Sequence, residues 1–259
     1  MAPKRCSGDV INVDLSDSND EPSPKKARVG VPDAYGEVFS PPRIVPYVIR
    51  HGLPASLSVD ITWAGGERDL LTAYDRAYTL SQIQLRDIMM LGLSPPCTQH
   101  SILQNLNSGR VPAHVLAERK KKANILLDFA MMLAKSQVEK HKLFFFEHPR
   151  TANSWKSKSV EEVAALPGVH KANFDQCRFG LMHGGKPMRK STTLLTNSTA
   201  IMRMFDGKTC QCVGGHRLIQ GRSASNTTLA SFAAIYPPRM CEAIAEAVVE
   251  EWPNFTIEI

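Results

Sequence analysis

Four short apolar runs constrain this chain more than any other feature of it: "ASLSVDI" (55–61), "DIMMLGLS" (87–94), "KLFFFEHP" (142–149) and "TTLLTN" (192–197). Short apolar runs of this kind read as parallel strands buried on both sides. Between the second and third lies "AERKKKANILLDFAMMLAKSQVEKHK", where Leu126, Phe129, Ala130 and Leu133 recur at helical spacing. Lys120, Lys121 and Lys122 near its start read as a solvated face. "YPPRMCEAIAEAVVEEW" is a second helix, with Met240, Ile244, Ala247 and Val248 on one side and prolines at its start. Strands alternating with helices imply an α/β fold with a doubly wound, mostly parallel sheet.

The globular pattern begins near Tyr35 and is read as one domain over 35–259. Residues 1–34 are rich in Ser, Asp, Pro and Lys and are expected to stay disordered, because they hold too little apolar surface to offset chain entropy. "PSPKKARV" in that tail has the form of a nuclear import signal (Lys25, Lys26, Arg28). Val10, Ile11, Val13 and Leu15 precede an acidic, serine-containing run, the pattern of a SUMO-interacting motif. The start lacks the apolar stretch of a secretory signal, and six scattered cysteines imply free thiols in a reducing compartment. No apolar run approaches a membrane span. Net charge is +6; residues 1–35 hold five basic and six acidic side chains, so the excess lies in the globular part, with 26 basic and 19 acidic. A basic domain suits a polyanion such as nucleic acid.

In a parallel sheet, residues past the carboxyl ends of the strands share one edge, where ligands bind. Asp60, Cys97 and Glu147 each follow an apolar run. An acidic residue after an early strand suits ribose hydroxyls. Cys97, on a Pro-Pro turn, is a fixed nucleophile expected to ionise readily beside a basic site. Glu147, after Phe144, Phe145 and Phe146, would be partly desolvated and able to hold or share a proton.

These residues, in this order, resemble the cytosine-5 DNA methyltransferases, S-adenosylmethionine-dependent enzymes with a Rossmann-like fold. "SPPCTQHS" is similar to the family's Pro-Cys loop, and "FFFEHP" stands where it has Glu-Asn-Val. "FGLMHGGKPMRKSTTLLTN" is similar to the segment carrying glutamine and arginines, and "AIYPPRMCEAIAEAV" to the last motif, whose helix packs back near the cofactor. The resemblance spans about residues 37–249. It implies that Cys97 attacks C6 of a flipped-out cytosine and Glu147 contacts N3. It places Phe39, Asp60, Ile61 and Pro95 on the cofactor, and Arg178, Arg189 and Lys190 on the nucleic acid, DNA ahead of RNA.

The chain departs from the family pattern in several places. Pro41 and Pro42 in "FSPPR" replace two glycines of the first turn, and proline removes a donor and fixes φ. His148 replaces an asparagine, and Met188 and Thr192 stand where a glutamine and an arginine are expected. The span between "TTLLTN" and "AIYPP" is short for a target-recognition domain. The alternative function is a methyltransferase-fold module without activity that binds nucleic acid or a nuclear protein. In "CQCVGGHR", Cys210, Cys212 and His216 are three soft ligands for zinc. No fourth lies nearby, Cys177 and His183 being remote, and the reading adopted is a loop with incidental cysteines and no metal.

Overall fold

The computed structural model describes residues 31–62, 67–101, 111–223 and 226–256. The import and SUMO-binding motifs lie outside the described residues. Strands β1 (Tyr35–Val38), β2 (Ala55–Val59), β3 (Met90–Leu93) and β4 (Leu143–Pro149) run parallel. β5 (His170–Asp175) follows, then a hairpin of β6 (Met182–His183) and β7 (Lys186–Pro187), then β8 (Ser191–Thr196). Six of these form one sheet in the order β2-β1-β3-β4-β8-β5, which makes the fold mixed α/β with a mostly parallel sheet.

The "TTLLTN" strand corrects the expectation of a parallel run: β8 is antiparallel to both β4 and β5. A parallel partner needs a crossover, usually a helix. Between Asp175 and Ser191 the chain forms only a 3-10 turn (Gln176–Phe179) and the small hairpin, so it returns antiparallel. Two strands escaped the apolar-run reading. β1 carries buried Glu37, and β5 is an edge strand whose first two residues, His170 and Lys171, are exposed.

Successive side chains of a strand point to opposite faces, and helices cover both. Tyr35, Met90, Phe145 and Leu194 pack with α1 (Val45–Arg50), α5 (Thr199–Phe205) and α7 (Pro238–Thr256). Leu91, Leu93, Phe144, Phe146 and Leu195 pack with α2 (Ala73–Leu85), α3 (Ala113–Glu139) and α4 (Lys158–Ala164). On α7, Met240, Ile244, Ala247 and Val248 are all buried, as expected. On α3, Phe129, Ala130 and Leu133 are buried and Leu126 only partly. Its buried stripe also takes in Leu127, Met131 and Ala134, because the helix meets both the sheet and α4. Lys120, Lys121 and Lys122 are exposed. No helix among the described residues is long and apolar enough to cross a membrane.

Gly92 interrupts the apolar β3 run for a steric reason. A Cβ there would stand 2.2 Å from Tyr35 Oη and 2.8 Å from Phe145 Cζ, in a pair of rings stacked at 6.3 Å. The Tyr35 hydroxyl is buried with no hydrogen-bond partner, so it adds bulk without a compensating bond. Gly92→Ala should therefore destabilise by about 1–3 kcal/mol through overpacking. In a Tyr35→Phe background, itself close to neutral, the same change should cost less. Urea unfolding of the four chains checks this, and equal costs in both backgrounds would show that the hydroxyl is not the obstacle.

Candidate functional site

The strand order reverses direction about β1: β2 lies on one side, and β3 followed by β4 on the other. In open α/β sheets such a switch point opens a crevice at the carboxyl ends of the strands. Here it holds a cavity of about 330 Å³. Phe39, Asp60, Ile61, Pro95, Cys97, Glu147 and Lys190 all line it. Two other residues read as substrate contacts lie apart. Arg178 donates to Gln211 Oε1 at 2.6 Å, and Arg189 Nε pairs with Asp175 at 3.4 Å; neither lines the cavity.

The first wall is the "FSPPR" turn. Phe39 takes φ 65°, a left-handed conformation that favours glycine and costs a side-chain-bearing residue about 1–3 kcal/mol. Its ring packs edge-on against Phe129 of α3 at 6.3 Å. Beneath the turn, Glu37 sends its buried carboxylate to the start of α1. It accepts N–H bonds from Arg43 (2.8 Å), Ile44 (3.3 Å) and Val45 (3.3 Å), and a hydroxyl bond from Ser58 (3.2 Å). Burial pushes this carboxyl up to about 7 despite those donors. A helix start at such a crevice is ordinarily an anion site, and here a side chain of the chain itself fills it.

Opposite, β4 carries Glu147. Its parallel ladder with β3 ends at Leu93 and Phe146, while pairing with β8 continues to Pro149, so Glu147 lies within the strand but beyond the parallel register. Its side chain is buried. Lys190 Nζ stands 3.3 Å from Oε1, which makes no hydrogen bond. The carboxylate is thus charge-compensated but still able to accept a bond from a ligand.

Cys97 follows β3 on the Pro-Pro turn, at the start of the 3-10 segment Thr98–His100, and is half-buried. Burial pushes its thiol above the ordinary cysteine value, the Glu147 charge pushes it further, and Lys190 pulls it back. This differs from the ready ionisation expected of an exposed turn. The physical reason is placement: the turn folds under the wall made by residues before α7, where Tyr236 Oη meets Ser94 Oγ at 2.7 Å and Arg43 Nη1 donates to the Ala234 carbonyl at 3.0 Å. Ser94, Arg43 and Tyr236 line the cavity, and sequence reasoning had not singled them out. The signal available was the Tyr in "AIYPP", assigned only to a motif that packs back.

His148 is a further residue whose work was not foreseen. Its ring is fully buried. Nε2–H donates to the Pro95 carbonyl at 3.0 Å, and Nδ1 accepts from Ser154 Oγ at 2.6 Å. A carbonyl only accepts, which fixes this tautomer. The imidazole therefore ties β4 to the turn that holds Cys97. Burial pushes its pKa down to about 3, so it stays neutral. Beyond the turn lies a second, polar cavity of about 430 Å³, lined by Gln99, His100, Lys120, Asn124, Asn153 and Lys156 among others. Elsewhere, Cys177, Cys210, Cys212 and His216 come together with their ligand atoms all within 4.8 Å of one another, so the fourth ligand missing from the local sequence is Cys177. His183 is not in that group.

Two predictions follow from the wall and the turn. An unfolded histidine takes a proton near pH 6.5, whereas folded His148 refuses it until about 3. Stability is thus complete above about 6.5 and falls as pH drops toward 3. His148→Asn should lose about 2 kcal/mol less than the parent between pH 7.5 and 5, read by urea unfolding. For Cys97, alkylation by iodoacetamide, followed on its own peptide by mass spectrometry, should have a pH midpoint above that of a free cysteine. Lys190→Ala should raise that midpoint and Glu147→Gln should lower it; a midpoint indifferent to both would dissolve the triad.

Comparison with protein-family models, with curated proteins and with solved structures finds no match to this chain.

Proposed function

We propose that the protein is an S-adenosylmethionine-dependent cytosine-5 methyltransferase acting on nucleic acid in the nucleus, DNA ahead of RNA, on a Rossmann-like doubly wound fold. One observation carries the reading: Cys97, Glu147 and Asp60, remote in sequence, line a single cavity at the switch point, together with Phe39, Ile61 and Pro95.

The residues present fit the cofactor. Asp60 ends β2, where a carboxylate reaches ribose hydroxyls. Phe39 and Ile61 offer apolar surface to an adenine. Because Glu37 already fills the helix start, the crevice has no vacant anion site there, which suits a nucleoside without phosphate better than a dinucleotide. Bound S-adenosylmethionine would supply an electrophilic methyl group. Cys97 would pass its proton to Glu147 and bond through Sγ to C6 of the cytosine, and Glu147 would hold that proton at N3 as electron density moves through the ring toward C5. Lys190 steadies the Glu147 charge and favours the thiolate. His148 positions the turn. After C5 is methylated, loss of its proton and departure of the thiolate from C6 would restore Cys97. Lys120 and Lys156, which line the second cavity, would meet phosphates.

The alternative, a module of this fold that binds nucleic acid or a nuclear protein without catalysis, is favoured by Pro41 in the cavity wall and by the burial that raises the Cys97 thiol above its ordinary value. Trapping separates the two. Fluorine at C5 of cytosine cannot leave as a proton does, so the covalent species formed after methyl transfer persists. Single- and double-stranded DNA and RNA bearing 5-fluorocytosine should give a cofactor-dependent adduct on Cys97. Cys97→Ser should abolish it, and Glu147→Gln should slow it by about 10²–10⁴-fold. A folded protein that forms no adduct on any of these substrates would leave the binding module, whose affinity should fall steeply with salt.

A further inference from the structure

We infer that Cys177, Cys210, Cys212 and His216 form a structural zinc site that fastens the segment following α5 to the end of β5. The site is separate from the cavity and does not depend on the activity proposed there.

The spacing of the ligand atoms suits a tetrahedral site. Zinc with thiolates at about 2.3 Å and an imidazole at about 2.0 Å sets ligand atoms roughly 3.6–3.8 Å apart. The four ligand atoms here all lie within 4.8 Å of one another, and Cys210 Sγ and His216 Nε2 stand 3.1 Å apart. Rotamer-scale movement suffices to admit an ion. The set is closed, with three sulfurs and one nitrogen, which is the composition of a structural rather than a catalytic zinc.

The backbone around the ligands is shaped for this purpose. Cys177 sits in the 3-10 turn after β5, where Gly180 (φ 85°) ends the turn. Gly214 (φ 90°) and Gly215 (φ 83°) are both left-handed, which returns the chain so that His216 faces Cys210. The Cys212 N–H points at Cys210 Sγ at 3.3 Å, a bond that steadies a metal-bound sulfur. Buried Asp175 accepts from the Cys210 N–H at 2.9 Å and pairs with Arg189, which holds the ligand loop from outside.

A second observation asks for such a fastener. Among the described residues, the part of the chain containing β6, β7 and α6 (Leu229–Ala233) has a separate small core of four buried apolar residues, Leu181, Met188, Leu229 and Ala233, with Ile219 and Phe232 partly buried against it. Within the ligand loop Val213 is 98% exposed, so no apolar anchor holds its tip. A core so small needs a cross-link or a metal to stay ordered. The zinc would also set the entry to β8, since Gln176 N–H bonds the Lys190 carbonyl at 3.0 Å and so relates the site to the cation beside Glu147.

The test uses the full chain, purified with a reductant and without chelator. Elemental analysis should find about one zinc per chain. Cobalt(II) added to protein stripped of metal should give the intense visible bands of a tetrahedral, thiolate-rich site, and zinc should erase them. Cys177→Ser should lose the metal, while Cys241→Ser and Cys97→Ser keep it. The cobalt spectrum of the unmutated chain is the reading that does not depend on how well Cys177→Ser folds. Folded protein with neither zinc nor a tetrahedral cobalt spectrum would overturn the site, as would full zinc retention in Cys177→Ser.

Discussion

Strand β4 sets a carboxylate and an imidazole directly after three buried phenylalanines, and both polar side chains are buried. Buried polar groups must find partners or destabilise the fold. His148 finds two, the Pro95 carbonyl and the Ser154 hydroxyl, and in doing so pins the loop that carries Cys97. Glu147 finds one cation, Lys190, at the entry to β8. The need to satisfy this one strand end thus draws the β3 turn, the β8 entry and the segment before α4 to one place. The cavity lies where those three meet.

The sheet makes this possible by changing direction. β4 is parallel to β3 on one side and antiparallel to β8 on the other. Because β8 starts at the carboxyl end of β4 and runs back toward its amino end, its first residues, and Lys190 just before them, lie beside Glu147. A parallel strand in the same position would have brought its last residues there instead. The antiparallel strand is therefore part of how the site is charged.

A buried carboxylate also shapes the other wall. Glu37 caps the start of α1 in place of any bound anion, and the turn above it holds Phe39 in a conformation that glycine adopts more readily. The two prolines of this turn are compatible with the fold because α1 begins just after them and Glu37, rather than a close-approaching ligand, satisfies its first N–H groups.

The apolar runs were sufficient to locate β3, β4 and β8 and the faces of α3 and α7, because burial on two sides or along one stripe leaves a local mark in composition; they also located β2, although it is an edge strand whose buried residues alternate with exposed Ser56 and half-buried Ser58 rather than a strand buried on both sides. Asp60, Cys97 and Glu147 were legible for the same reason, each standing at the end of such a run. Other features left no local mark. The direction of β8 depends on how the chain returns from β5, and the edge strand β5 is too polar to stand out. The thiol of Cys97 is governed by its burial and by the charges of Glu147 and Lys190, which distant segments bring to it. Arg189 goes to Asp175 rather than to the cavity because the nearer carboxylate is the one the hairpin delivers. Cys177 joins Cys210, Cys212 and His216 across more than thirty residues, a closure made by the pairing of β5 with β8 and by two left-handed glycines. Local pattern determines which segments are buried; which polar groups then share a site is decided by strand order and direction, since those alone set what is near in space.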